Sequence, residues 1–209
     1  GILRSFDNGK NWENIGLKDS HHIGKVKINP KDPNEIIVGV IGHLYSKNVQ
    51  RGIFKTKDGG NSWIKTLYIN DETGIIDLDV DPNNFNIQFA SSWERERKAW
   101  DFKGNGENSG IYKSSDSGDT WKLISTENSG FPRGDGVGRI GVAFYVGAEI
   151  SVCREVVRRN NKEWLYTHFF AWKKSSTGET NLIIRVVKES FVYYSLKYPY
   201  KKKKEKTKV

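Results

Sequence analysis

The segment Trp93-Glu94-Arg95-Glu96-Arg97-Lys98-Ala99-Trp100-Asp101-Phe102 sets tryptophans around alternating arginines and carboxylates. Indole plates stack on sugar rings or apolar side chains, and guanidinium forks hold carboxylates through two parallel hydrogen bonds. Trp93, Arg95, Arg97 and Trp100 are therefore candidates to bind a glycan or a peptide. Arg133 and Asp135, in a neighbouring glycine-rich stretch, are candidates to join them. The competing reading is that residues 94–98 are a solvated charge run and the tryptophans are packing.

Other chemistry is less well supplied. His21 and His22 are adjacent, so in an extended chain their rings point to opposite sides, and no carboxylate spacing completes a metal site. No metal and no cofactor is expected. The run Gly134-Asp135-Gly136-Val137-Gly138-Arg139 lacks the preceding strand and following helix of a phosphate loop. Cys153 is the only cysteine, which excludes an internal disulfide or a multi-cysteine zinc site, and without an arguable histidine partner it is expected to be inert. No apolar run approaches a membrane span, and no basic segment followed by an apolar one opens the chain.

The net charge of +9 is unevenly placed. Residues 1–145 carry 19 Lys and Arg against 19 Asp and Glu, whereas residues 146–209 carry 15 against 6, with no Asp. The positive balance thus belongs to the end of the chain, which closes on Tyr200 and a lysine run. It says nothing about the first segment, for which neither nucleic acid nor membrane is an expected partner.

What must position the candidates is a repeat. Residues 1–12 read GILRSFDNGKNW, residues 52–63 GIFKTKDGGNSW and residues 110–121 GIYKSSDSGDTW. In each copy a hydroxyl, an aspartate, a glycine and a tryptophan recur: Ser5, Asp7, Gly9 and Trp12; Thr56, Asp58, Gly60 and Trp63; Ser114, Asp116, Gly118 and Trp121. The hydroxyl and carboxylate suit bonding to the backbone of a tight turn, Gly supplies the bend, and Trp packs between neighbouring sheets. We call this unit the aspartate turn. Its expected job is to lock a turn rather than to bind metal or catalyse.

A second unit interleaves. VKINPKDPNEIIV at residues 26–38 matches LDVDPNNFNIQFA at residues 78–90, and a third copy begins at Ile140 but breaks at Val146, where Pro is expected. Each period holds four strand signals and no helical periodicity, predicted in one period at residues 75–81, 86–93, 110–114 and 120–125. Four antiparallel strands per period is the arithmetic of a propeller blade. The expected fold is all-β, a partial β-propeller: about two complete four-stranded blades with partial blades at residues 1–15 and 138–145. Alternating strand direction puts the aspartate turns on one face. The loops at residues 16–22, 42–51, 68–74, 94–109 and 126–138 lie on the other.

The aspartate turn resembles the Asp box of bacterial-neuraminidase repeats. HIGKVKINPKDPN, GHLYSKNVQRGIFKTKDGG, DETGIIDLDVDPNN, SSWERERKAWDF and SGFPRGDGVGRIGVAFY are similar to large bacterial secreted propellers labelled sortilin N-terminal-like or BNR-repeat glycosyl hydrolase. The resemblance covers residues 1–145. It implies an extracellular or periplasmic propeller fragment, a scaffold for a glycan or peptide ligand that pairs with the remaining blades of a longer chain. The alternative is part of a glycoside hydrolase, which needs two carboxylates about 5–10 Å apart across a sugar. Asp77, Asp79 and Glu94 are available, but nothing pairs them. A sialidase would also need an arginine cluster, and Arg95, Arg97 and Arg139 lack the spacing that would assign one. Residues 146–209 are expected to be a basic tail unrelated to the blades, out-of-frame or disordered, and to add no blade.

Overall fold

A computed structural model describes residues 1–129, 131–144, 150–159, 162–174 and 180–191. Alternation along the repeat gives short antiparallel strands, beginning with a hairpin of β1 (Leu3–Arg4) and β2 (Glu13–Asn14). Next comes a four-stranded sheet of β3 (His22–Asn29), β4 (Asp32–Gly42), β5 (Gly52–Thr56) and β6 (Ile64–Leu67), paired in chain order. The following sheet is built from β7 (Thr73–Val80) and β8 (Gln88–Glu94). A small hairpin of β9 (Glu96–Arg97) and β10 (Phe102–Lys103) interrupts it before β11 (Gly110–Ser114) and β12 (Lys122–Leu123). These sheets are the two complete blades expected from the repeat, and β1–β2 is the outer half of another. Of residues 138–145, expected to begin a further blade, 138–144 are described; they pack beside β7 and form no ladder among the described residues.

The strands expected at residues 75–81 and 86–93 are shifted by one or two residues at each end, and two differences are larger. The fourth strand is only Lys122–Leu123, because the Asp116 carboxylate captures the Thr120 N–H at 2.9 Å and keeps Thr120 in the turn. The charge run folds back as the β9–β10 hairpin, with Arg97 opposite Phe102 and Glu96 opposite Lys103. Beyond the blades, β13 (Ile150–Arg159), β14 (Lys162–Lys174) and β15 (Thr180–Phe191) pair as an antiparallel meander. The lysine run and Tyr200 lie outside the described residues.

The core is layered between blades. A strand shows its side chains alternately to its two faces, and β4 buries both. Ile36, Val38 and Val40 pack with Phe54, Ile2, Leu17 and Trp63 towards the β1–β2 hairpin. Ile37 packs on the other side with Ile53, Ile75, Leu78 and Trp121. A third layer joins Phe89 and Ile111 to Phe131, Val137, Ile140 and Val142. Gly24 shows how closely the innermost strands approach, since a Cβ there would stand 2.5 Å from the Ile75 carbonyl oxygen.

The innermost strands β3 and β7 share no ladder, and charge spans the gap. Lys25 meets Asp77 at 3.4 Å and Lys27 meets Asp79 at 2.6 Å. On their other side Asp77 and Asp79 accept the backbone N–H groups of Val142 and Phe144, at 3.2 and 2.6 Å. Two of the carboxylates considered for glycoside chemistry are thus occupied in holding β3, β7 and the segment at residues 142–144 together.

Candidate functional site

The aspartate turns are the same device three times over. In the second, Asp58 accepts from the Thr56 hydroxyl at 2.6 Å, the Ser62 N–H at 2.9 Å and the Ser62 hydroxyl at 2.5 Å. The Gly60 N–H donates back to the Thr56 oxygen at 3.0 Å. Asn11 and Ser5 serve Asp7 in the same way, and Thr120 and Ser114 serve Asp116. Hydrogen bonds to the charged form favour it. The Ser62 hydroxyl foremost, then Thr56, holds the Asp58 carboxyl far below the usual range. Burial pushes Asp116 up, but the Thr120 hydroxyl and N–H and the Ser114 hydroxyl outweigh it and bring it to about 2. The turns lie beside the first turns of their own blades, where Gly59 donates to the Asn34 carbonyl and Ser117 to the Asn86 carbonyl. That is the face the strand alternation predicts.

The three tryptophans are equivalent in position but not all buried. Trp63 is half-buried, and its indole N–H reaches the Ile15 carbonyl of the preceding hairpin at 2.6 Å. Trp121 is also half-buried and reaches the Thr66 hydroxyl of the preceding blade at 3.2 Å. Trp12, expected to be buried like them, is 61% exposed and bonds only within its own turn, to the Gly9 carbonyl at 3.0 Å. The reason is geometric. Each tryptophan needs the outer strand of a preceding blade, and among the described residues none stands before Trp12.

The opposite face gathers a cleft of about 170 Å³ lined by residues 44–47, Arg51, Glu72, Arg95, Glu96 and Arg97. Arg51 is its floor: it is buried and donates to the carbonyls of Ile41 at 2.7 Å and of His43 and Ser46 at 3.1 Å, pinning the loop that forms one wall. Arg95 forms the other wall, with its guanidinium 5.2 Å from the Trp93 ring centre. Its Nε and Nη2 are buried without a hydrogen-bond partner, as is Nε of Arg51. Burial, followed by repulsion from Arg97 and Arg139, lowers the Arg95 pKa, and burial followed by Arg95 does the same for Arg51. Unsatisfied buried donors of this kind cost free energy that an anion would recover.

The sequence candidates divide around this cleft. Arg95 and Arg97 line it, and Arg97 also lies 5.3 Å from the Phe102 ring centre. Trp93 sits beneath, with its indole N–H on the Gly104 carbonyl at 2.8 Å and Arg139 5.9 Å from its ring centre. Trp100 is 84% exposed on the β9–β10 hairpin and does not line the cleft. Arg133 and Asp135 are exposed and stand apart from it; Arg133 lies near Tyr112, and the Asp135 carbonyl accepts from the Asn105 side chain. Glu94 is taken up by the Asn108 N–H at 3.1 Å and side-chain amide at 2.8 Å. His21 meets His43 with ring centres 3.7 Å apart and planes tilted by 58°, while His22 turns to the Gly42 carbonyl. Among the described residues no three metal-binding side chains converge. Cys153 lies on β13.

Arg51 was not a sequence candidate, although a signal for it exists. It immediately precedes the Gly that opens its repeat, and the matching position in the next copy, Ser109, is buried. An arginine at a position the repeat buries is a displaced charge with a reason to be there.

A family model described as sortilin, neurotensin receptor 3, matches residues 1–207. The match continues through the segment read from composition as a basic tail. No curated protein matches the chain. Among the described residues no helix is long and apolar enough to cross a membrane.

Proposed function

From the premise that the chain belongs to the Sortilin-Vps10 family, whose extracellular or luminal propellers bind peptide ligands, we propose that this propeller holds a carboxylate-bearing ligand in the cleft between residues 44–47 and Arg95. The observation that carries the reading is the pair of buried, unpartnered guanidinium nitrogens of Arg95. A carboxylate accepts two parallel bonds from such a fork. Arg97 adds charge at the rim, and Tyr45, 67% exposed, offers a ring for an apolar side chain or a sugar face. Trp100 on its hairpin extends the contact for a longer ligand. Arg133 and Asp135 belong to a neighbouring loop and would meet only a ligand that overruns the cleft.

The ligand is a peptide or an acidic glycan, and the scaffold is non-catalytic. Asp77, Asp79 and Glu94, the carboxylates a glycosidase would need, are each engaged by lysines or backbone N–H groups. The aspartate-turn residues support placing the chain with the BNR-type bacterial secreted subgroup, in an extracellular or periplasmic setting, where further blades complete the propeller.

The test is a binding series on the intact protein. Peptides with a free C-terminus are compared with amidated ones, and uronic-acid oligosaccharides with neutral ones. Charge-assisted hydrogen bonds contribute about 1.5–3 kcal/mol, so Arg95→Met should weaken the best ligand by about tenfold or more. Arg97→Ala should weaken it less, and Trp100→Ala should matter only for long ligands. Binding that survives both Arg95→Met and blocking of the ligand carboxylate sinks the reading.

A further inference from the structure

Three histidines, His21, His22 and His43, meet where β3 begins and β4 ends. His22 pairs with Gly42 in the ladder, and His21 bridges to the same residue. His43 follows Gly42 and so comes against His21 across the two segments. The imidazoles that meet are therefore not the two that adjoin in sequence. His21 holds this place in a strained backbone, with φ 52° and ψ −93°, in the left-handed half of the map that suits glycine, asparagine and aspartate. Its neighbours keep it there. The Ser20 hydroxyl donates to the Leu17 carbonyl at 2.6 Å, and the Asn48 side-chain amide to the Asp19 carbonyl at 2.9 Å. Strain that the surroundings maintain clusters at sites that act. Hydrogen bonds also sort the ring nitrogens. His43 Nδ1 lies 2.8 Å from the Ser46 hydroxyl. When it donates there, Nε2 carries the lone pair, the arrangement in which an oxygen orients a metal-binding imidazole. Among the described residues neither ring nitrogen of His21 is hydrogen-bonded.

We propose that His21 and His43 form a two-imidazole site for a divalent transition ion of the zinc, copper and nickel kind, with water in its remaining positions. Neutral imidazole suits these ions, whereas magnesium and calcium want oxygen. Each nitrogen would stand about 2.0–2.1 Å from the ion, so the touching rings must swing apart slightly. His21 is exposed and His43 half-buried, so side-chain rotation suffices. The ion would tie the loop at residues 16–22 to the loop at residues 43–46, whose carbonyls hold Arg51. The site uses none of the open arginine donors of the cleft and stands whether or not a carboxylate binds there.

Calorimetric titration of the full chain with zinc chloride tests it, together with electron paramagnetic resonance of the copper(II)-loaded protein. The native protein should take up zinc saturably and show copper coupled to imidazole nitrogen. His21→Asn and His43→Gln should each remove both signals. Asparagine tolerates the positive φ at residue 21, so that variant should melt as the native protein does without metal; if one variant melts early, the other gives the same readout. Zinc should raise the melting temperature of the native protein and leave that of His21→Asn where it was. Ser46→Ala takes away the oxygen that orients His43 and should weaken zinc by about tenfold or more. His22→Ala should change nothing, because its ring is turned to the Gly42 carbonyl. A native protein that takes up no zinc, uptake that survives both His21→Asn and His43→Gln, copper without nitrogen coupling, or loss of zinc in His22→Ala would each overturn the proposal.

Discussion

The two faces of the blades treat polar groups in opposite ways. On the aspartate-turn face, Asp7, Asp58 and Asp116 are each surrounded by hydroxyl and N–H donors from within the same turn. On the cleft face, Arg95 rests against the Trp93 ring and keeps two buried nitrogens without a hydrogen-bond partner. The carboxylates of the first face have closed their hydrogen bonds within their own turns, and the one open atom there, Gln88 Oε1 under the Gly118 turn, is an acceptor sealed in the core. The other face keeps buried donors unsatisfied, which is a stability cost that an acceptor reaching them would offset. Within one scaffold, satisfaction of polar groups separates the carboxylates that lock the turns from the guanidinium that lines the cleft.

The comparison can be broken most severely from the packed side. Ile37 is fully buried and lies under the Gly118 turn, where a Cβ would come within 2.2 Å of its side chain. Ile37→Ala should lower unfolding free energy by about 2–5 kcal/mol, read from the urea midpoint. It should leave the Arg95 geometry, and hence ligand selectivity among folded molecules, unchanged.

The next effect has the opposite signature. Arg95→Met should abolish most binding, as argued above, while the melting temperature stays level or rises, because two unsatisfied buried donors disappear. A clear fall in melting temperature would place Arg95 with the structural residues and erase the distinction between the faces.

Acid should attack the closed face. The Asp116 pKa is near 2 against an ordinary 3.8, and that of Asp58 is lowered too. A depressed carboxylate contributes stability that is fully present above its unfolded value and is lost as pH falls through the folded one. Melting temperature should therefore fall between about pH 4 and pH 2, and Asp116→Asn should flatten that part of the profile. The smallest effect belongs to Lys47, whose exposed pair with Glu72 at 2.8 Å rims the cleft. Lys47→Ala should barely move the melting temperature, and the small difference from the native protein should vanish in added salt.

Most of the fold was legible because the repeat spells it out. Three copies of hydroxyl, aspartate, glycine and tryptophan at fixed offsets define a turn, and Pro30 and Pro82 mark the start of the next strand in register. The lengths of strands were less legible, since whether Thr120 belongs to turn or strand depends on a hydrogen bond to Asp116 rather than on its type. Of the cleft, Arg95 and Arg97 could be read from their aromatic surroundings. Arg51 could not, because its role comes from carbonyls of Ile41, His43 and Ser46 that only the folded loop brings to it. Arg133 and Asp135 were grouped with the arginines by loop face, but a shared face is wider than a shared pocket.

The carboxylates of Asp77 and Asp79 give the propeller a clasp. Neighbouring innermost strands in a sheet would be held at a ladder's fixed spacing, but these are held by an aspartate reaching a lysine on one side and a backbone N–H on the other. The closeness of the blades is set where Gly24 meets the Ile75 carbonyl, and the carboxylates decide how firmly that approach is held. Replacing Asp77 and Asp79 would loosen the grip without touching a single strand pairing, so the joint between blades can drift in evolution independently of the blades themselves.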